Sequence, residues 1–521
     1  MNMNKMKYSR FWVRAGFLLA GVAWMLSSCA KGPKLEVSTN QVVFEAYPEE
    51  DLSIGISANI KWEAALIQKE KWLVFVQEDI STPNPIHGKG NGTIILKASD
   101  NTSFNGRSAC VIISGDDIQT DTVYISQTGS VDVVEIIEDE AFKKYCLFEF
   151  DKTPKDGKLS LQEIQNAAKI TITGSNIRSL AGIEYFTGLK ELYCAGNNLQ
   201  SLNLSKNKKM LKLDCSKNPI NDLDVSELTE LTDLYIDDTN IRTIDVSKNA
   251  KLYWLAASGN QMTNIDVSNN MELTIFECNV NQLEAIDLKK NTKLQYLHCT
   301  GNKIKTLDLT SNKALERLWC NNNLLTGIDV AQNTELQNIS CAENSITNLI
   351  LKNNTKLSQL YCDANQLGTL DVSANTQLTD MRCTSNKLSN LDVSKNKALT
   401  TLYCSYNMIG SLDVTQNTSL QRLECDQNNL ATLDVSMNTE LIELYCDGNR
   451  FTALNLSKNT KLTDFRCTDN HLDGRIDISN NKLLTIIYLQ RNPQLAEIKV
   501  WQEFNVNSKN YQKDTDAKYV W

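Results

Sequence analysis

Proline and histidine are scarce in this chain. Seven prolines among 521 residues, with apolar residues spread throughout, exclude a mainly disordered protein. Only His87, His298 and His471 are present, and the sequence has no nucleophile motif, no phosphate loop and no convergent metal-ligand set. Repetition also works against catalysis, which needs unlike groups at one place, so an enzyme is not expected. Apolar runs long enough to cross a bilayer are missing after residue 29. Runs of Lys or Arg are missing as well, and a formal net charge of −9 excludes nucleic acid and a basic membrane-docking face.

What is present begins with an export signature. Lys5, Lys7, Arg10 and Arg14 lead into GFLLAGVAWML, an apolar run too short for a comfortable span, and LSSC follows at once. Residues 1–28 are expected to be a signal peptide. Leu26, Ser27, Ser28 and Cys29 resemble the lipobox of bacterial lipoproteins. That resemblance implies lipidation of Cys29, a linker over 29–34, and anchoring to the bacterial outer membrane on its cell-surface side. AKGPK follows Cys29 without an acidic run, which leaves a periplasmic orientation open, and a soluble secreted protein is the alternative to anchoring.

Fifteen cysteines in an exported chain would ordinarily suggest a disulfide framework. The spacing argues otherwise. Cysteines stand at 194 and 215 and then every 21 residues from 278 to 467, while the slots at 236 and 257 hold Ile236 and Ala257. A slot that takes Cys, Ile or Ala is a small buried apolar site, and free cysteine behaves as a small hydrophobe. The thiols should be reduced and inert, since side chains stacked in register do not easily reach the disulfide torsion, and metal binding needs ligands that converge.

The whole unit reads L-x-x-L-x-C-x-x-N-x-L-x-x-L-D-V-S-x-N-T-x, a leucine-rich repeat with cysteine in one leucine slot. It is similar to the cysteine-ladder branch of the internalin leucine-rich repeat proteins, bacterial surface proteins that bind host partners. The expected fold is multidomain: a small all-β sandwich, a helical EF-hand-like cap, then a curved α/β-type solenoid with a parallel β concave face and a mostly irregular convex side. Counting back from Cys194 reaches Thr173, and counting forward from Cys467 reaches Leu489 after one inserted residue. About sixteen turns over 173–500 would stack to about 75 Å at a strand spacing of roughly 4.8 Å. Two asparagine columns, one containing Asn197 and Asn218 and the other Asn249 and Asn270, should satisfy backbone groups at the two corners of each turn.

Strand alternation exposes the residues one and three before each ladder position on the concave face. The candidate ligand-binding residues are Tyr193, Tyr235, Trp254, Tyr296, Trp319, Tyr361, Arg382, Tyr403, Tyr445, Arg466 and Tyr488. Trp, Tyr and Arg supply most binding hot spots, although tyrosine also suits a strand surface for packing alone. Trp254, Tyr296 and Trp319 are expected to form one aromatic cluster. A column of aspartates from Asp224 to Asp434, at the other edge, should accept turn hydrogen bonds instead of holding cations.

The flanks differ from the repeats. Residues 35–130 alternate in short runs such as LSIGIS and TVYIS, which read as a sandwich. Trp62, Trp72, Asn101, Arg107 and Gln127 in order resemble the BACON domain of gut-bacterial surface proteins; both tryptophans should be core, and the resemblance implies a spacer or a glycan binder. Residues 131–172 read as a helical N-cap, and FEFDKTPKDGKLSLQEI within them resembles an EF-hand or dockerin-like calcium loop. The resemblance implies one Ca2+ at Asp151, Asp156, Lys158, Ser160 and Glu163. An inserted residue after Asp151, and Pro154 with Lys155 where oxygen ligands are wanted, leave a purely structural cap as the alternative. Residues 501–521, with Trp501, Phe504, Tyr511 and Tyr519, should close the far end.

These readings point to a cell-envelope lipoprotein that recognises a protein, in adhesion or in host or neighbour-cell interaction, through its concave face. A glycan-binding accessory lipoprotein is the alternative, and a structural envelope protein without a single ligand is the second. No nucleic acid partner is expected.

Overall fold

The computed structural model describes residues 32–521 apart from residues 70, 78, 79, 153 and 154. The expected signal peptide and Cys29 lie outside the described residues, as does Pro154. The chain divides into two compact units that meet in sequence at Ser130 and Val131.

The first unit consists of ten strands: β1 (Leu35–Val37), β2 (Gln41–Phe44), β3 (Leu52–Ala58), β4 (Lys61–Gln68), β5 (Leu73–Gln77), β6 (Ile80–Ser81), β7 (Ile86–Lys89), β8 (Gly92–Ala98), β9 (Arg107–Gly115) and β10 (Asp121–Gln127). They form two five-stranded sheets, ordered β1-β3-β8-β5-β6 and β2-β10-β9-β4-β7. Period-two patterning explains how one core serves both: Trp62, Ala64 and Leu66 alternate inward along β4, as do Ile94 and Leu96 along β8. Trp62 and Trp72 are both buried in that core. Gln127 donates to the carbonyls of Glu45, Ala46 and Ser99, and Arg107 donates to Gln127 Oε1 at 2.8 Å while lying over the Trp72 ring. Trp72, Arg107 and Gln127 thus form one clamp at the edge of the core.

The second unit opens with helix α1 (Glu140–Phe150), capped by Asp139, which accepts from the amides of Ala141 and Phe142. Phe142 and Cys146 enter the solenoid core, and the Phe150 and Phe186 ring centroids are 5.3 Å apart. Tyr145 Oη accepts from the Thr171 amide, which occupies a donor at the first strand's exposed edge.

A seventeen-stranded parallel sheet follows, from Lys169–Thr171 through Glu191–Tyr193 to Tyr511–Gln512. Neighbouring strands pair residue for residue; Leu192 meets Leu213, which meets Leu234. The middle residue of each three-residue strand is buried and the residue after the strand is the ladder position, so each turn contributes two adjacent inward side chains. Residues two beyond the ladder position, among them Lys217, Val280, Tyr406 and Arg491, adopt positive φ, as do Gly196, Gly259, Gly301 and Gly448 in their turns. That left-handed residue turns the chain out of the strand.

Several expectations need correction. The solenoid is not of the α/β type: among the described residues no α-helix lies between its strands. It also begins before residue 173. Ile172, buried, fills the first ladder slot and Thr173 is exposed, because Lys169 pairs with Glu191 across a 22-residue turn. The extra residue sits near Gly182, whose φ of 97° accommodates a tight bend. At the far end the expected cap adds the seventeenth strand itself, and Phe504 packs with Trp501, Tyr511 and Tyr519. The one-residue insertion before Leu489 is where it was expected: Asp464 pairs with Ile486, and Leu489 is buried.

All ladder cysteines from 194 to 467 are buried and unbridged. Burial pushes the thiols from Cys194 to Cys446 up, to about 12 for Cys299, Cys341 and Cys404, which keeps them protonated at neutral pH. A thiol reagent is therefore expected to label few of these cysteines in the folded protein and nearly all after denaturation, as mass spectrometry would show. Labelling of most of them in the folded state would overturn the ladder.

Candidate functional site

Side chains one and three residues before the ladder form the outward face of the sheet. Every candidate concave residue lies there, half-buried except for Trp319, which is 37% exposed. The expected cluster of Trp254, Tyr296 and Trp319 is not formed by ring contacts. Instead Tyr235 and Trp254 meet edge to face at 5.1 Å, His298 stacks on Trp319 at 3.9 Å, and Arg317 covers Tyr296. Strand register contributes: His298 pairs directly with Trp319 and Tyr296 with Arg317 on neighbouring strands, whereas Trp254 and Tyr296 stand two strands apart.

Further along, the face builds one arrangement twice. Arg382 lies between Tyr361 and Tyr403, at 4.6 and 5.1 Å from their centroids, with Asp380 gripping its Nε and Nη2. Tyr361 Oη donates to the same carboxylate at 2.8 Å. Four turns later Arg466 lies between Tyr445 and Tyr488, gripped by Asp464, to which Tyr445 Oη donates at 2.9 Å. Both arginines are held charged by these carboxylates.

The remaining cations of the face are largely consumed too. Lys169 pairs with Glu191, Lys212 with Asp233 and Arg422 with Glu443. Asp237, Asp363, Asp426 and Asp447 form no ion pair with Lys or Arg among the described residues, nor do Glu277 and Glu424. Burial pushes all six above the ordinary carboxylate range. The four aspartates stand directly after the ladder, a column the sequence reading missed because the chain was expected to turn away there. Instead they bond along the stack: Asp237 accepts from the Ser258 amide, Asp363 from Thr384 and Asp426 from Asp447.

Near Glu277 the buried His298 Nε2 has no hydrogen-bond partner among the described residues, while the Trp254 N–H helps to hold the Glu277 carboxylate. Burial and Asp237 raise the Glu277 carboxyl, and the Trp254 N–H only partly opposes them. His298 Nδ1 is 3.9 Å from Glu277, yet burial and Arg317 lower the imidazole to about 4, so it is neutral at pH 7 and cannot balance the carboxylate.

The aspartate column at the other edge behaves as expected. Asp224, Asp371 and Asp434 accept from the amides two residues later, and these turns hold their carboxyls below the ordinary value of 3.8. The two columns act oppositely on stability. Raised carboxyls make the folded state bind protons more tightly than the unfolded chain, so lowering the pH from 7 toward 3.8 for Asp and 4.5 for Glu stabilises the fold. Depressed carboxyls contribute stability above 3.8 that is lost below it. The melting temperature is expected to rise from pH 7 to about 5 and to fall by about pH 3; a steady fall from pH 7 would contradict the raised group.

At the loop resembling a calcium site, Asp151 is buried and accepts from the amides of Asp156 and Gly157. Asp156 accepts from the Lys158 amide. Ser160 and Glu163 form a reciprocal capping box at the start of α2 (Leu161–Ile164), leaving Glu163 Oε1 buried without a partner. Asp151 and Glu163 are thus taken up by separate turns while Asp156 is exposed, and among the described residues no group of three or more His, Cys, Asp or Glu could hold a metal ion. The hydrogen bonds present are those of a helix-capping turn.

In-register parallel strands, one per 21-residue turn, with a thiol ladder behind an open strand face, define a leucine-rich repeat solenoid. Among solved structures the chain is similar to the functional domain of InlJ from Listeria monocytogenes, which includes a cysteine ladder. The two share 31% identity over 73% of this chain and 84% of that one, with a TM-score of 0.66. The chain belongs to this internalin-like family of leucine-rich repeat proteins with a cysteine ladder. A plant peptide hormone receptor, RGFR1, in complex with RGF2, shares the fold at 19% identity over 70% of this chain and 73% of that one, with a TM-score of 0.58. A TDR receptor does so at 20% identity over 68% and 70%, with a TM-score of 0.57. No family model matches the chain, and no curated protein does.

Proposed function

We propose that this chain is a cell-envelope lipoprotein, anchored through a lipid on Cys29 at the bacterial outer membrane and exposed at the cell surface, that presents its solenoid to a protein ligand. The BACON-like unit at 35–130 lifts the solenoid from the membrane, and residues 131–172 seal its first turn. The observation that supports this reading best is the outward sheet face, a preformed surface that offers two side chains per turn in a sequence of rings and charges. Glycan stacking is the weaker reading, because charges crowd the rings: a guanidinium covers one face of each of Tyr361, Tyr403, Tyr445 and Tyr488, and the Glu424 carboxylate stands between Tyr403 and Tyr445.

The test is binding of the labelled protein to arrayed extracellular-matrix and mucin proteins and to arrayed glycans, beside a variant carrying Trp254→Ala, Tyr296→Ala and Trp319→Ala. Loss of a protein signal in the variant is expected. Loss of a glycan signal would instead place the protein with carbohydrate-binding accessories, and no response from either array would leave the structural role.

A further inference from the structure

Arg382 and Arg466 show what the outward face accepts between two tyrosines: a planar cation, flanked by rings and gripped by a carboxylate. The gap between those two sandwiches has the same frame. Tyr403 and Tyr445 stand two strands apart, about 10 Å by strand spacing, as do Tyr361 and Tyr403 around Arg382. The residue in that third gap is Glu424. The one cation of its own strand, Arg422, is taken by Glu443. Glu424 is half-buried with its carboxyl raised by burial, Asp426 and Glu443, which outweigh the more distant Arg382 and Arg466. A slot framed like an arginine site therefore presents the opposite charge and has no cation of its own.

The middle of the face repeats the theme. Glu277 stands beside Trp254 and a neutral His298 and has no Lys or Arg counter-ion among the described residues. A partner's cation would meet a carboxylate without a counter-ion there too.

We propose that the outward face of the sheet receives a basic, extended segment of the protein partner, with an arginine or lysine side chain seated at Glu424 between Tyr403 and Tyr445 and another at Glu277. This rests on the protein-recognition reading above and adds the chemistry of the ligand. Charge complementarity carries it: the face keeps desolvated carboxylates without counter-ions, whereas all its cations but Arg317 are already paired. Each arriving cation would recover the cost of that desolvation and gain a ring face.

The probes are fluorescent nona-arginine and nona-glutamate, titrated into the protein by anisotropy at two salt concentrations. Nona-arginine should bind saturably and nona-glutamate should not. Glu424→Gln with Asp426→Asn should weaken nona-arginine binding roughly tenfold, as loss of close charge pairs does. Asp371→Asn with Asp392→Asn makes the same change of net charge on the turn column at the other edge and should leave the affinity unchanged. An equal loss from both pairs would show that net charge alone attracts the peptide, and absence of nona-arginine binding would refute the slot outright. Because Glu424 and Asp426 are raised carboxylates, their neutral variants should melt no lower than the parent, which separates lost binding from lost folding. If the arrays identify a protein whose affinity is unaffected by Glu424→Gln, this proposal falls while the recognition reading stands.

Discussion

Replacing Asn365 by alanine is expected to destabilise the solenoid by roughly 3–5 kcal/mol, several times the usual cost of a surface change. Asn365 Nδ2 donates to the Cys341 carbonyl at 3.0 Å and the Cys362 carbonyl at 3.2 Å, and its Oδ1 accepts from the Ile346 amide at 2.9 Å. Alanine would leave these buried backbone groups unpaired in two adjacent turns, where water cannot replace the amide. Thr239, the one departure in this column, shows what a partial substitute must do. Its single hydroxyl proton has Ile236 O or Asn260 Oδ1 as acceptor. Asn365→Thr should therefore cost clearly less than Asn365→Ala in urea unfolding. Equal costs would mean that side-chain volume, not hydrogen bonding, sets the requirement.

The second large effect is expected in the other unit. A Cβ added at Gly88 would lie 2.0 Å from Trp62 Cζ2 and 2.3 Å from Cε2. The indole cannot swing aside, since it is buried and its Nε1 donates to Gly90 O at 2.8 Å. Gly88→Ala should cost about 3 kcal/mol, the upper range for overpacking. The two units have separate cores, so protease should cut within 35–130 while the ladder thiols stay protected. A variant as resistant as the parent would show that Trp62 has room to move.

The repeat was legible because one period carries all its information. Leucine and cysteine at fixed spacing dictate a strand with two inward side chains, and the cysteine phases each turn from Cys194 to Cys467 to the residue. Phase was lost where that marker is missing. In ITITGSN the alternation of Ile and Thr fits two registers, and the insertion near Gly182 decides for Ile172 over Thr173. At the other end Tyr511–Gln512 joins the sheet with no L-x-C signature, so the strand inside the cap leaves no mark in the sequence.

The site was legible only as a list of exposed positions. Which cation pairs with which carboxylate depends on side chains 21 residues apart that meet across adjacent strands, as Lys212 and Asp233 do. The Asp237, Asp363, Asp426 and Asp447 column had one available signal, the repeated small polar residue directly after the ladder. The second asparagine column also does less than expected: Asn312 donates to Leu288 O and Asn291 O, but its Oδ1 is buried without a partner.

The outward sheet face, and no other surface, is expected to meet the ligand. Hydroxyl-radical footprinting of tyrosine and tryptophan side chains, with and without the bound protein that the arrays identify, tests it most directly. Trp319, Tyr361 and Tyr403 should be protected in the complex. Tyr253 and Tyr406, which are 45% and 60% exposed and stand outside the two outward columns, should react as before. Protection of Tyr253 and Tyr406 with Trp319 and Tyr361 still reactive would move the binding surface elsewhere and contradict the account.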